Sequence, residues 1–261
     1  MITISDLIEW KNKKKFAVLT AYDSTFSKLF FQKGIKVMLV GDSLGMTIQG
    51  HNSTIPVTIK DMEYHTKCVR RGAPKCLLLS DLPFMSYFNK EQAYINASIL
   101  MRAGANIIKL EGGKNISEII YNLTIRSIPV CAHIGLTPQS INLLGKYKVQ
   151  GRKKKEEEQI LSDALSIESS GAKLLVLECV PINLAKKITN ILKIPVIGIG
   201  SGSFTDGQIL VMQDFLGISG KNTPSFSKSF LKKNYDISSA VTSYIKEVEN
   251  CIFPSKKESF L

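Results

Sequence analysis

At 261 residues and 44% hydrophobic content, the chain is long enough for one large domain with a full core. No stretch approaches the roughly 20 continuous apolar residues of a membrane span. The formal net charge of +12 raises the question of nucleic acid, but Arg occurs only at positions 70, 71, 102, 126 and 152, so nearly all of the charge is scattered Lys.

Proteins that read nucleic acids concentrate Arg or Asn for base edges, or stacking aromatics, on one patch. Neither pattern occurs, so no nucleic-acid partner is expected. The charge reads as solvated surface amines, with local clusters at Lys13-Lys14-Lys15, Lys153-Lys154-Lys155 and Lys232-Lys233. Long-range attraction of anionic substrates is the functional alternative. Met1-Ile2-Thr3-Ile4-Ser5-Asp6 lacks the basic-then-apolar layout of a signal peptide. Cys68, Cys76, Cys131, Cys179 and Cys251 are odd in number, lack CxxC spacing and read as buried reduced thiols. A cytoplasmic protein with no membrane contact is expected.

The chain opens with a helical pattern: a cap residue at Thr3, then Ile4, Leu7, Ile8 and the only Trp, Trp10. This segment, within Thr3 to Lys15, is expected to close the bottom of a barrel. Eight short apolar runs follow, at Phe16–Thr20, Val37–Gly41, Cys76–Ser80, Asn106–Leu110, Pro129–Ala132, Leu174–Leu177, Pro195–Gly200 and Ile209–Met212. Runs of this kind, bounded by Gly and Pro, fit strands covered on both faces, as in parallel sheets. Between them lie segments patterned for helices, among them Lys90–Arg102, Ser117–Arg126, Glu156–Ser170 and Asn183–Leu192. Gly135–Gly151 is glycine-punctuated and long for a βα loop, a candidate lid. Ile237–Val248 suits a final amphipathic helix, and Lys256–Leu261 reads as a frayed tail. The expectation is an α/β protein, a (β/α)8 TIM barrel forming a single catalytic domain over residues 1–261.

Five ionisable residues stand at the ends of consecutive strand runs: Asp42, Asp81, Glu111, His133 and Glu178. Barrel active sites are assembled from strand ends on the C-terminal face, so a shared pocket follows. Asp42, Asp81 and Glu111 would repel one another unless a cation or protons neutralise them, and oxygen-only ligation favours magnesium. Lys109 shares a face with Glu111, two residues on, and so points inward as a partner for a substrate carboxylate or developing oxyanion. A structural salt bridge is its plainer role. Glu178 follows a strongly apolar run and suits general acid/base work. His133 either bonds substrate, orients the lid or is simply a satisfied structural His. Gly198, Gly200 and Gly202 could admit an anion to backbone amides or only relieve crowding.

These residues sit in blocks that resemble one family throughout: Leu19-Thr20-Ala21-Tyr22-Asp23, Gly41-Asp42-Ser43-Leu44-Gly45-Met46, Asp81-Leu82-Pro83-Phe84 and Lys109-Leu110-Glu111-Gly112-Gly113. The series continues in His133-Ile134-Gly135-Leu136-Thr137-Pro138-Gln139, Tyr147-Lys148-Val149-Gln150-Gly151, Leu177-Glu178-Cys179-Val180-Pro181, Gly198-Ile199-Gly200 and Asp206-Gly207-Gln208. Together they cover most of residues 16 to 217 and resemble the ketopantoate hydroxymethyltransferases. The resemblance implies a magnesium-dependent barrel enzyme of pantothenate biosynthesis, assembled as a homodecamer of stacked pentamers. It implies Asp42, Asp81 and Glu111 as metal-site carboxylates, Glu178 as general base, and an oxoacid site drawing on Asp42, Ser43, Asp81, Lys109 and His133. Two departures are visible: Ser201 stands where an Ala is usual, and Lys146 where a Gly is usual.

The implied reaction begins with 3-methyl-2-oxobutanoate chelating magnesium. Glu178 removes the C3 proton, and the enolate takes a one-carbon unit from 5,10-methylenetetrahydrofolate, the co-substrate. The nearest rival is a magnesium barrel of the phosphoenolpyruvate mutase and isocitrate lyase type, whose catalytic Cys loop and phosphate ligands are not found. A non-catalytic basic scaffold or nucleic-acid-binding barrel is the rival from another class.

Overall fold

The computed structural model describes residues 2–220, 223–231 and 236–261; the expected Lys232-Lys233 cluster lies outside them. Eight parallel strands close on themselves in sequence order: β1 Phe16–Thr20, β2 Val37–Val40, β3 Leu77–Asp81, β4 Ile107–Glu111, β5 Val130–Gly135, β6 Leu174–Glu178, β7 Val196–Ile199 and β8 Gly207–Leu210. The helices are α1 Ile4–Trp10, α2 Ser24–Gln32, α3 Leu44–Thr47, α4 Ile59–Gly72, α5 Lys90–Ala103, α6 Ser117–Thr124, α7 Ile141–Leu144, α8 Lys154–Ser169, α9 Ile182–Ile191, α10 Met212–Leu216 and α11 Ile237–Glu249. The expected (β/α)8 barrel is therefore the observed one.

Strand parity divides the core in two. Val18, Val37, Leu39, Leu77, Leu79, Ile107, Cys131, Leu174, Val176, Ile197 and Ile209 fill the barrel interior with Leu7 of α1, against which Ile4 and Trp10 also pack. Alternate residues such as Leu19, Met38, Leu78, Ile108, Ala132 and Leu175 face the surrounding helices. Helix α1 begins where predicted because Thr3 and Asp6 form a reciprocal capping box. It closes the barrel floor through Leu7, and a buried clasp fixes it there. Lys11 Nζ donates to Asp206 Oδ2 over 2.7 Å and to the Thr189 carbonyl over 2.6 Å. Asp206 in turn accepts from the backbone N–H groups of Asn12 and Val196.

Four expectations are corrected. Strand β8 starts and ends two residues early, because the Met212 N–H donates to Thr20 Oγ1 and opens α10. No helix separates β7 from β8 among the described residues; only a tight connection through Asp206 does. The tail is docked and not frayed: Ser255 and Glu258 cap each other, and the Ile182 N–H donates to the Phe260 carbonyl over 2.9 Å. Finally, Cys76, Cys131 and Cys179 are buried, but Cys68, on α4, is only half-buried and Cys251, in the turn after α11, is exposed.

Candidate active site

The inward parity that packs Leu79, Ile107, Cys131 and Val176 places Asp81, Lys109, Glu111, His133 and Glu178 above them at the C-terminal mouth. Register makes them neighbours: Asp81 pairs with Lys109, Glu111 with His133, and Gly135 with Glu178. The groups form a buried line of alternating charge. Lys109 Nζ stands 2.9 Å from Asp81 Oδ1 and 4.0 Å from Glu111 Oε1. His133 Nδ1 is 3.3 Å from Glu111 Oε1, and Nε2 is 3.1 Å from Glu178 Oε2. These are charge contacts and not aligned hydrogen bonds, so Asp81 Oδ1, Glu111 Oε1 and both ring nitrogens retain hydrogen-bonding capacity while buried.

Asp42 joins from the turn after β2, where its N–H donates to Asp81 Oδ2 over 3.1 Å. Burial, reinforced by the charges of Asp81 and Glu111, pushes the Asp42 carboxyl well above the usual carboxylate range. Burial likewise raises Asp81, against the pull of Lys109. Glu111 moves the other way: burial pushes it up, but His133, Lys109 and the Gln139 N–H together hold it low. His133 is raised to about 9, because burial and Lys109 oppose its charge less than Glu111 and Glu178 favour it. Lys109 is held charged by its three carboxylate neighbours despite burial.

Of the other sequence candidates, Ser43 shares a 2.9 Å hydrogen bond with the Tyr22 hydroxyl, whose pKa burial pushes up to about 12. His51 is exposed, and His65 Nδ1 lies 2.7 Å from the Tyr22 carbonyl oxygen, outside the line. Cys179 is buried and its thiol pushed up, which disfavours the thiolate a nucleophile needs. Over the glycine turn after β7, a Cβ at Gly200 would meet the Phe226 ring at 2.9 Å and one at Gly202 would meet Ile182 at 2.5 Å. The glycines relieve crowding there and leave no open anion cradle. The unusual Ser201 donates to the Leu177 carbonyl over 2.7 Å.

Two residues were missed. Gln139, in the turn after β5, donates its N–H to Glu111 Oε2 and its Nε2 to Asp42 Oδ2 and the Leu82 carbonyl. Its Oε1 accepts from Tyr87 over 2.6 Å. The signal was the Thr137-Pro138-Gln139 turn beside His133, since a carboxamide can donate and accept at once. Farther along this loop, the Tyr147 hydroxyl lies 3.6 Å from Met46 Sδ of α3, reaching from β5 across to β2.

Could this pocket hold a metal? Its free donors are carboxylate oxygens, two of them buried without a hydrogen bond, and the mutual repulsion of Asp42, Asp81 and Glu111 is what a hard divalent cation would relieve. Among the described residues, no three His, Cys, Asp or Glu side chains converge as a closed ligand set. That suits an ion that takes one or two carboxylates and completes its shell with water or substrate oxygens.

Also among the described residues, no helix is long and apolar enough to cross a membrane. Among solved structures, phosphonopyruvate hydrolase is similar with a TM-score of 0.64 and 12% identity, covering 83% of this chain and 84% of that one. A 2,3-dimethylmalate lyase of the PEP mutase/isocitrate lyase superfamily follows with a TM-score of 0.60 and 14% identity, covering 80% and 81%. At such identities the likeness is one of fold. In sequence, the 3-methyl-2-oxobutanoate hydroxymethyltransferase of Sodalis glossinidius is 59% identical over 261 residues, all of both chains. The protein of the same name from Escherichia coli K12 is 59% identical over 259 residues, 99% of this chain and 98% of that one. The family model described as ketopantoate hydroxymethyltransferase matches residues 1–256, and the chain belongs to that family.

Proposed function

We propose that this chain transfers a hydroxymethyl group from 5,10-methylenetetrahydrofolate to 3-methyl-2-oxobutanoate, giving 2-dehydropantoate. The observation that carries the reading is the line Asp81–Lys109–Glu111–His133–Glu178, which sets a carboxylate at the mouth beside a buried cation suited to an oxoacid. Asp42, Asp81 and Glu111 would hold magnesium, which when bound supplies Lewis-acid polarisation of the oxoacid's oxygens. One of the three would act through water.

Lys109 sits where it stabilises the substrate carboxylate or the oxyanion that develops on enolisation. Glu178, with its side chain 13% exposed while Glu111 is 3% exposed, is the carboxylate best placed to reach a bound substrate and take its C3 proton. His133, charged between Glu111 and Glu178, aligns both. The carbon–carbon bond then forms to the donor's one-carbon unit. Water supplies the hydroxyl oxygen and tetrahydrofolate leaves. A cytoplasmic homodecamer completes the proposal; exposed apolar side chains on outer helices, Ile95 of α5, Tyr121 of α6 and Leu165 of α8, are consistent with surfaces covered in an assembly.

The test is proton NMR of 3-methyl-2-oxobutanoate in deuterated water with the protein and magnesium, with and without chelator, before any folate is added. Metal-dependent loss of the C3 proton signal is expected. Retention of that signal with magnesium shown to be bound overturns enolisation without the donor.

A further inference from the structure

The proposed reaction has two partners of unequal size, and the mouth of the barrel is unequal too. On the β2–β5 side, the contact of Tyr147 with Met46 spans the opening. Tyr147 is exposed, but desolvation of its phenol and the charges of Glu178, Asp42 and Glu111 raise its pKa, so its hydroxyl end reaches toward the site. That side carries a partial cover. The oxoacid groups beneath are buried, and Glu178 is the most accessible of the carboxylates in ion pairs there. A donor must reach the carbon that Glu178 deprotonates, and the approach left to it is from β6, β7 and β8.

What stands on that side is aromatic. Glu178 pairs in register with Ile199, and the next residue, Gly200, carries the ring of Phe226 directly above it. Phe226 is half-buried and packs against the interior cluster that includes Ile199. Phe260 meets Phe226 with ring centroids 6.3 Å apart at 76°, an edge-to-face pair in which both residues are only half-buried. The main chain of Phe260 is fixed to the start of α9, four residues after Glu178, by the Ile182 N–H. The Phe226 ring therefore lies against the residue that follows the register partner of the proposed base, with Phe260 packed on it, and nothing in the oxoacid chemistry uses these rings.

We infer that Phe226 and Phe260 form an aromatic wall that seats the planar heterocycle of the one-carbon donor, an inference that rests on the function proposed above. A planar heterocycle offers an extended aromatic face to such rings, whereas a small branched oxoacid has no aromatic ring. Both residues are positioning residues for the second substrate. Gly200 lets the wall close onto the strand end, because a side chain at φ +60° there would displace Phe226.

The experiment is calorimetric titration of tetrahydrofolate into the wild type and into Phe226→Ala, Phe260→Ala and Phe260→Tyr. Metal-dependent C3 exchange without donor, and thermal melting, are measured on each. Both Ala variants should weaken tetrahydrofolate binding roughly three- to tenfold, the worth of one aromatic contact, with a smaller effect on exchange, and Phe260→Tyr should restore affinity. Unchanged affinity in both Ala variants overturns the wall, as does loss of affinity and exchange in equal proportion. A wild type that exchanges the C3 proton yet binds no tetrahydrofolate overturns the wall and the folate assignment but not the enolisation. A wild type that binds tetrahydrofolate without exchanging, with binding weakened in the variants, supports the wall and overturns the assigned base chemistry.

Discussion

Gln139 Nε2 donates to Asp42 Oδ2 across 2.8 Å, joining side chains 97 positions apart in the chain. With the same residue's N–H on Glu111 Oε2, it fixes two of the three proposed metal carboxylates relative to each other. Replacing Gln139 with Leu strips Asp42 of that bond and leaves the Tyr87 hydroxyl without its 2.6 Å acceptor. Magnesium affinity should fall about 10- to 100-fold, the usual cost of losing an outer partner of a metal ligand. Calorimetric titration of magnesium checks it, and wild-type affinity would show that the carboxamide has no part in the site.

Glu178→Gln keeps the shape of the proposed base and removes its ability to take a proton. Exchange of the oxoacid C3 proton should slow by about 10²- to 10⁴-fold, while magnesium binding persists. NMR exchange rates decide it; a wild-type rate would assign the base elsewhere.

Lys109→Met leaves Asp81 and Glu111 buried without the cation that stands 2.9 and 4.0 Å from them. Removing one partner of a buried ion pair costs about 3–5 kcal/mol. Urea denaturation should show a loss of that size without metal. Added magnesium should restore more stability to the variant than to the wild type, because bound cation replaces missing charge.

His133 gives the metal-free protein a pH dependence of predictable sign. Its folded value is raised to about 9 from an ordinary 6.5, so the folded chain holds a proton that the unfolded chain releases. The stabilisation is complete below about 6.5 and is lost as pH rises through about 9, on the order of 3 kcal/mol in all. Denaturation of wild type and His133→Gln from pH 6 to 10 should show this slope in the wild type only, and parallel curves would exclude it.

Much of this arrangement could be read before any fold was known, because a strand end in a parallel barrel has only one place to be. Asp81, Glu111, His133 and Glu178 each end an apolar run, and the period of two along a strand sends them inward together with Lys109. Gln139 could not be found that way: it is neutral, lies in a turn, and acts through Asp42 after β2, Leu82 after β3 and Glu111 at the end of β4. The docking of Phe260 was hidden for a similar reason, since its anchor at Ile182 is 78 positions away and a Lys-rich segment looks solvated. The early end of β8 escaped notice because Val211 and Met212 continue an apolar run, and only the hydroxyl of Thr20 turns the chain out of the sheet there.

The clasp between Lys11 and Asp206 has a bearing on how the barrel can breathe. It sits on the floor beside the seam where β8 meets β1, while the ionisable line occupies the arc from β2 to β6. Residues 42 to 178 are synthesised before Asp206 exists to receive Lys11, so the clasp can close only after every residue of the arc has been made. A fluctuation that loosened the clasp would free the floor beside that seam, while the β8–β1 ladder and the chemistry-bearing arc would still be held by their own strand pairing.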